Sequence, residues 1–389
     1  MQVRGIPSQR ESHIELAERQ DGQEETGWQR VNAWPALAPM SPWTTVKAKD
    51  AVMALAWIDT EIGGGGCREG RTHSDANLGS MVTAAADSTV RVVSVASGAQ
   101  TRCWSISDLA LSSAEPLPAS CVAGGAGGVA GLGGERDRAV AVGSWDGCVY
   151  VVSLEYGRIV QALRSGHEDA VSALAFCSHK GLLLSGSWDG SVKAWGKTES
   201  GLTATPLASL AELDTEVRDL CALQDGSVCS TLGADDSISL WDVRSCAAVY
   251  AHAPGGTAMQ LLSHFTGRTP LLAVATRDAP SPIVELWDLR KMAAPCCEAA
   301  ADIPLCSLSA LNTDGNAWVA GTTDGELMMG AWGGDGDRSF ARCQPRQHSD
   351  VISACQVVSL EAKRKAGDGR GQMLLLSASQ DASACVWGQ

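Results

Sequence analysis

One phrase recurs along the chain: small residues, an aspartate, a short β-rich run, then tryptophan. The clearest copies are LLLSGSWDGSVKAW, CSTLGADDSISLWDVR and MLLLSASQDASACVW. In each the Asp precedes the Trp by six residues, as Asp189 and Trp195, Asp235 and Trp241, Asp381 and Trp387. Weaker copies surround Asp87, Asp146, Asp278 and Asp324, where the spacing or the Trp is lost. Successive Asp positions lie 59, 43, 46, 43, 46 and 57 residues apart. A device repeated at such intervals accounts for an odd composition, in which 13 Trp outnumber 3 Phe and 3 Tyr. Trp is too large to be a routine filler of a core, so its excess follows from a local geometry that demands it. The 42 Gly favour many turns between short strands.

Repeats of about 40 to 45 residues, each worth four short strands, indicate an all-β fold, a seven-bladed WD-repeat β-propeller. The long intervals require insertions. Candidates are SDLALSSAEPLPAS with GGAGGVAGLGG in the first and Glu361 to Gln372 in the last, with Glu61 to Ser80 inside the first repeat. The last repeat ends at Trp387-Gly388-Gln389, after its third strand. The extended stretch Trp43 to Ala48 is expected to supply the missing outer strand, closing the ring and covering an open sheet edge. The domain reading is therefore a flexible leader or linker over 1–40, polar and carrying Pro7, Pro35 and Pro39, and a propeller over 41–389.

Charge and patterning narrow the function classes. A net charge of −14 disfavours nucleic acid as a partner, because phosphate binding needs a basic surface. No window approaches the roughly 20 apolar residues of a bilayer span, and the N-terminus lacks the apolar core of a secretory signal. A cytoplasmic, monomeric propeller is expected. The 14 Cys are scattered without a CxxC pair and are read as reduced thiols.

Within the third repeat, His167, Ser185, Asp189 and Trp195 make up a hydrogen-bonding tetrad, and His348, Ser377, Asp381 and Trp387 make up a second in the last. The Asp accepts from His, His sits against Ser, and Ser accepts from the indole, which would fix blade geometry. A hydrolase reading of Ser-His-Asp fails for want of an exposed nucleophile and a GxSxG phrase. Gly125 to Ala130 fits a loose GxGxxA pattern but leads into a strand. Gly196-Lys197-Thr198 lacks the first Gly of a phosphate loop, and Cys67 with His73 or Cys343 with His348 lack the other ligands of a zinc site. No catalysis, cofactor or metal is expected.

The residue before each turn Asp is expected near the rim of the central channel. Trp145, Trp188, Arg277 and Gln380 are the candidate partner-binding residues, because exposed Trp and Arg are enriched in binding hot spots. Trp195, Trp241, Trp287, Trp332 and Trp387 are assigned to third strands as blade-holding residues. Trp28, Trp34, Trp43, Trp57, Trp104 and Trp318 fit neither role.

Gly143 to Trp195, with its SWD, VY and YGR phrases followed by GHEDAVS, then LASLAELDTEV, resembles the C-terminal WD-repeat region of BEACH-domain proteins, especially the factor associated with neutral sphingomyelinase activation. The resemblance covers residues 140 to 250 and implies a protein-interaction scaffold in vesicle trafficking and receptor-proximal signalling. Peripheral membrane association would come through a larger chain or complex. With 40 residues before the propeller, the chain is expected to be a fragment, a truncated gene model or a stand-alone propeller. The phrases Trp241-Asp242-Val243-Arg244 and Trp287-Asp288-Leu289-Arg290 resemble those of cullin-RING substrate receptors, which implies an alternative in which Arg244 and Arg290 dock a ligase adaptor.

Overall fold

Alternating runs such as AVAV (Ala139–Val142) and VYVV (Val149–Val152) cannot be one-sided strands, since they have no polar face to give to water. In the computed structural model each is buried on both sides. Even-numbered Val140, Val142, Tyr150 and Val152 pack on the sheet before, and odd-numbered Ala139, Ala141, Val149 and Val151 on the sheet after. The core is thus divided into layers between neighbouring sheets.

Residues 42–388 are described, apart from 59–78, 96–98, 118–137, 155, 165, 178–179, 199–200, 223–226, 253–257, 267–268, 277–282, 292–293, 302, 311–316, 332–339, 344–345, 347 and 361–371. All described residues belong to one unit, 37–389. The expected leader over 1–40, Asp278, Arg277, Trp332, Cys67, His73 and the Gly125 to Ala130 pattern fall outside the described residues.

The described strands form seven antiparallel sheets, taken here as blades in chain order. Blade 1 comprises Val52–Ile58, Ser80–Ala85, Thr89–Ser94 and Gln100–Ser105. Blade 2 comprises Leu111–Leu117, Ala139–Ser144, Val149–Ser153 and Arg158–Leu163. Blade 3 comprises Val171–Cys177, Leu182–Ser187, Ser191–Thr198 and Ala208–Glu212, with the short Gly201–Leu202 beside its third strand. Blade 4 comprises Val217–Ala222, Val228–Gly233, Ile238–Asp242 and Ala247–His252. Blade 5 comprises Ala258–Thr266, Thr269–Thr276, Ile283–Asp288 and Cys297–Ala300. Blade 6 comprises Leu305–Ala310, Ala317–Thr322, Leu327–Ala331 and Phe340–Cys343. Blade 7 comprises Ala354–Leu360, Gln372–Ala378, Ser383–Gly388 and, from the other end of the chain, Pro42–Lys47. The seven first strands neighbour one another in sequence order, and the last lies beside the first. This is a closed seven-bladed β-propeller.

Closure follows the expectation for the N-terminal stretch, one residue earlier at each end. Thr45 pairs with Cys385 and Val46 with Ala384, so the outer edge of Ser383–Gly388 is covered. Hydroxyls also tie the inner ring. Ser112 donates to the Val171 carbonyl, Ser172 to that of Val217 at 2.5 Å, and Ser353 to that of Val52. Each bond joins one blade to the next.

One expectation is corrected. SDLALSSAEPLPAS is not wholly insertion, because Leu111–Leu117 is the inner strand of blade 2. Leu111, Ser113 and Leu117 are buried while the residues between are half-buried. Pro116 is tolerated because an inner strand has a ladder on one side only. Among the described residues no helix is long and apolar enough to cross a membrane.

Candidate interaction face

Antiparallel up-and-down strands put two kinds of segment on the same face: the turn between second and third strands, and the connector from each outer strand to the next inner one. The turns carry the repeated Asp. Asp87, Asp146, Asp189, Asp235 and Asp381 each accept the backbone N–H two residues on, at 2.8–3.2 Å. That closes the turn and leaves the intervening residue in the left-handed region: Ser88, Gly147, Gly190, Asp236 and Ala382 have φ of 65–79°. At Gly190 a Cβ would come within 2.3 Å of the Leu213 carbonyl, so the connector can seat directly on the turn.

Blades 3 and 7 bring their four sequence-selected side chains into one chain of contacts. His167 Nδ1 lies 3.2 Å from Asp189 Oδ2, His167 Nε2 lies 2.7 Å from Ser185 Oγ, and Trp195 Nε1 donates to Ser185 Oγ at 2.9 Å. In blade 7, His348 Nδ1 lies 3.4 Å from Asp381 Oδ2 and Nε2 lies 2.8 Å from Ser377 Oγ, which accepts from Trp387 Nε1 at 2.9 Å. Burial pushes both imidazoles below their ordinary pKa, outweighing the neighbouring carboxylates. Neutral imidazole then donates from Nδ1 and accepts at Nε2. Burial would raise Asp189, but the Ser191 hydroxyl and the N–H groups of Glu168 and Ser191 hold it below the usual carboxylate range. Ser185 is wholly buried, with its oxygen engaged by both His167 and Trp195. No substrate could reach it.

Sequence reasoning missed a fifth member. Ser191 and Ser383, two residues after the Asp, lie 2.9 and 2.8 Å from His Nδ1 and donate to the Asp at 2.6 and 2.5 Å. The signal was present, since blades 1 and 4 carry Thr89 and Ser237 at the same place. Blades 1, 2 and 4, which lack the His, satisfy the Asp from other side chains. Arg91 is paired with Asp87 at 2.5 Å, both nearly buried, and Tyr150 Oη donates to Asp146 at 2.5 Å. In blade 4, Thr215 and Ser237 donate to Asp235. Blade 6 departs from the pattern: Asp324 is exposed, and Thr322 Oγ1 accepts the N–H of Glu326 at 3.0 Å.

The tryptophans divide in two. Trp195, Trp287 and Trp387 are buried third-strand residues, and Trp241 is half-buried. Trp318, given no role from sequence, fills the corresponding space in blade 6 from the second strand. It is 1% exposed and pairs across the ladder with Gly330, which stands six residues after Asp324. A Cβ on Gly330 would lie 2.2 Å from the Trp318 ring. Trp145 and Trp188 behave differently, at 44% and 39% exposed, with ring centroids 5.7 Å apart and planes 47° from parallel. The backbone N–H of each donates to the carbonyl just before an inner strand, Ala110 and Ala170, at 3.0 Å. Both indoles are therefore held on rigid turns of adjacent blades. Gln380 occupies the same position in blade 7, exposed, with its N–H on the Val351 carbonyl at 2.9 Å. It does not join the pair, because blade 1 intervenes and offers Ala86 there. Leu109, 49% exposed in the connector next to Trp145, and the exposed Glu168 and Asp169 were not singled out from sequence.

On the opposite face, Arg244 and Arg290 end the third strands of blades 4 and 5. Their side chains are 67% and 53% exposed and pair with their own turn carboxylates, Asp242 at 3.4 Å and Asp288 at 2.9 Å.

Comparison with known proteins places these features. The WD domain, G-beta repeat family matches residues 157–196, from the outer strand of blade 2 to the third strand of blade 3. The Periodic tryptophan protein 2 homolog of Neurospora crassa is 34% identical over 110 residues, which is 28% of this chain and 12% of that protein. The Small ribosomal subunit protein RACK1y of Oryza sativa subsp. japonica is 27% identical over 190 residues, 47% of this chain and 52% of that one. The chain thus spans between an eighth and about half of these relatives' lengths. Seven four-strand blades in a closed ring, with a WD repeat matched inside them, make the fold a WD-repeat β-propeller.

Proposed function

We propose that the chain is a non-catalytic protein-interaction scaffold whose partner face is the turn face bearing Trp145 and Trp188. The observation that carries this reading is their exposure beside each other on backbone tied to the inner ring, while Trp195, Trp287, Trp318 and Trp387 are buried. A rigid aromatic pair contributes large contact area at little entropic cost, as binding anchors do. Gln380, exposed at the equivalent turn position of blade 7, extends the face around the channel. Affinity capture by wild type and by a Trp145→Ala/Trp188→Ala variant tests the reading: partners common to both, from a variant that keeps its unfolding midpoint, would overturn it.

The cellular role we assign is the propeller part of a BEACH-type membrane-trafficking and signalling adaptor, cytoplasmic, with other proteins rather than nucleic acid as partners. The SWD, YGR and GHEDAVS phrases of blades 2 and 3 support it. An in-frame BEACH domain upstream of Met1 in the genomic sequence is the expected finding. The second reading, a cullin-RING substrate receptor, is favoured by the exposed guanidinium groups of Arg244 and Arg290. Adaptor retained by wild type and lost from Arg244→Ala/Arg290→Ala would support it.

A further inference from the structure

We infer that Trp145, Trp188, Glu168 and Asp169 together form a receptor for a cationic side chain, Lys or Arg, presented by a protein partner. The inference deepens the interaction reading and rests on it.

The connector from Gly166 to Ala170 runs between the two indole-bearing turns and is seated on both. On the blade 2 side, Gly147 approaches so closely that a Cβ there would lie 2.8 Å from the His167 carbonyl and 3.2 Å from that of Asp169. On the blade 3 side, Ser187 Oγ donates to the Asp169 carbonyl and the Trp188 N–H to that of Ala170, both at 3.0 Å. The Glu168 N–H donates to Asp189 at 2.9 Å. The backbone that carries Glu168 and Asp169 is therefore fixed, and both residues are exposed. Two carboxylates and two indoles share a narrow stretch of surface.

Their chemistry selects the ligand. An indole face carries the negative part of the ring quadrupole and attracts cations, an attraction that grows as water is excluded. The two rings already touch, so a cation packs over their outward surface with the carboxylates beside it. Neighbouring connectors add the exposed Asp108, Asp214 and Glu216. The nearby described cations are turned to other uses: Arg164 lies 5.9 Å over the Tyr150 ring and Lys193 donates to the Gly166 carbonyl. An acidic partner would be repelled, and a neutral one would leave the carboxylates uncompensated.

The test uses the full chain and a library of decapeptides with a fixed central Lys or Arg. A matched library carries norleucine or citrulline at that position. Wild type should retain the basic library about tenfold better than the neutral one at low salt, with the preference shrinking as salt is raised. Glu168→Gln/Asp169→Asn should lose most of that preference, and Trp145→Ala/Trp188→Ala should retain neither library. These side chains are exposed, so folding is expected to survive, and the unfolding midpoint checks it. Equal retention of both libraries by wild type overturns the cation reading, as does an unchanged preference in Glu168→Gln/Asp169→Asn. If wild type holds both libraries equally and the Trp variant holds neither, the partner face stands and only its cation chemistry fails. Retention of basic peptides by the Trp variant removes the indoles from the receptor.

Discussion

A turn aspartate needs donors, and the blades supply them from different places: His167 and His348, Arg91, Tyr150, or the hydroxyls of Thr215 and Ser237. The Asp is the constant and its partner the variable, which is why the phrase remained visible where the His was lost. Energetic weight differs accordingly. Asp189 accepts from His167, Ser191 and two backbone N–H groups, so Asp189→Asn should destabilise by about 2–3 kcal/mol in denaturant titration. Asp324, exposed and not accepting from Glu326, should tolerate the same change within about 0.5 kcal/mol. The sequence already separates the two turns, because Asp189 has His167 before it and a Trp six residues on, and Asp324 has neither. What the sequence does not show is that Thr322, two residues before Asp324, takes the Glu326 N–H in place of the Asp.

At the scale of the strand, period-two burial and the Asp-to-Trp spacing made most of the blades legible. Two misses have physical causes. LSSAEPL lacks the apolar run of its counterparts and contains Pro116, yet an inner strand needs only one ladder. Trp318 sits in the wrong strand for the repeat, and its role depends on Gly330 lying across from it, a relation set by register. Blades 3, 5 and 7 place Leu183, Leu272 and Leu375 opposite Trp195, Trp287 and Trp387. Trp318→Leu should therefore cost about 2–4 kcal/mol, and Gly330→Trp on that background should recover much of the loss, while Gly330→Trp alone collides with the indole. A double-mutant cycle of unfolding free energies reads the coupling.

The seam between blades 2 and 3 carries a further titratable feature. Glu115 accepts the Phe176 N–H at 3.2 Å, and burial pushes its carboxyl up to about 8. The folded value lies above the unfolded one, so its stabilising effect is complete below the ordinary carboxylate range and is lost as pH rises through about 8. Glu115→Gln keeps an acceptor without the charge. Its unfolding midpoint should match wild type near pH 4, exceed it increasingly as pH rises to about 8, and hold a constant lead above that.

Considered whole, the molecule is a ring whose seventh blade is shared between both ends of the propeller. Deleting Pro42–Lys47 should lower the unfolding midpoint and expose Ser383–Gly388 as a free edge. Light scattering should then show concentration-dependent association absent from the intact chain. The partner face is less legible at this scale than the ring. Trp145 and Trp188 announce themselves beside their Asp residues, but their closeness and the connector seated on both turns arise only when adjacent blades are set side by side.

The shared blade also imposes an order on biosynthesis. Pro42–Lys47 leaves the ribosome long before its partner strand Ser383–Gly388 is made. At synthesis rates of roughly 5–20 residues per second, the N-terminal strand waits on the order of 20–70 s for it. Through that interval the propeller is an open arc with its first inner strand uncovered, so protection during translation is needed most at the side of the ring that was made first.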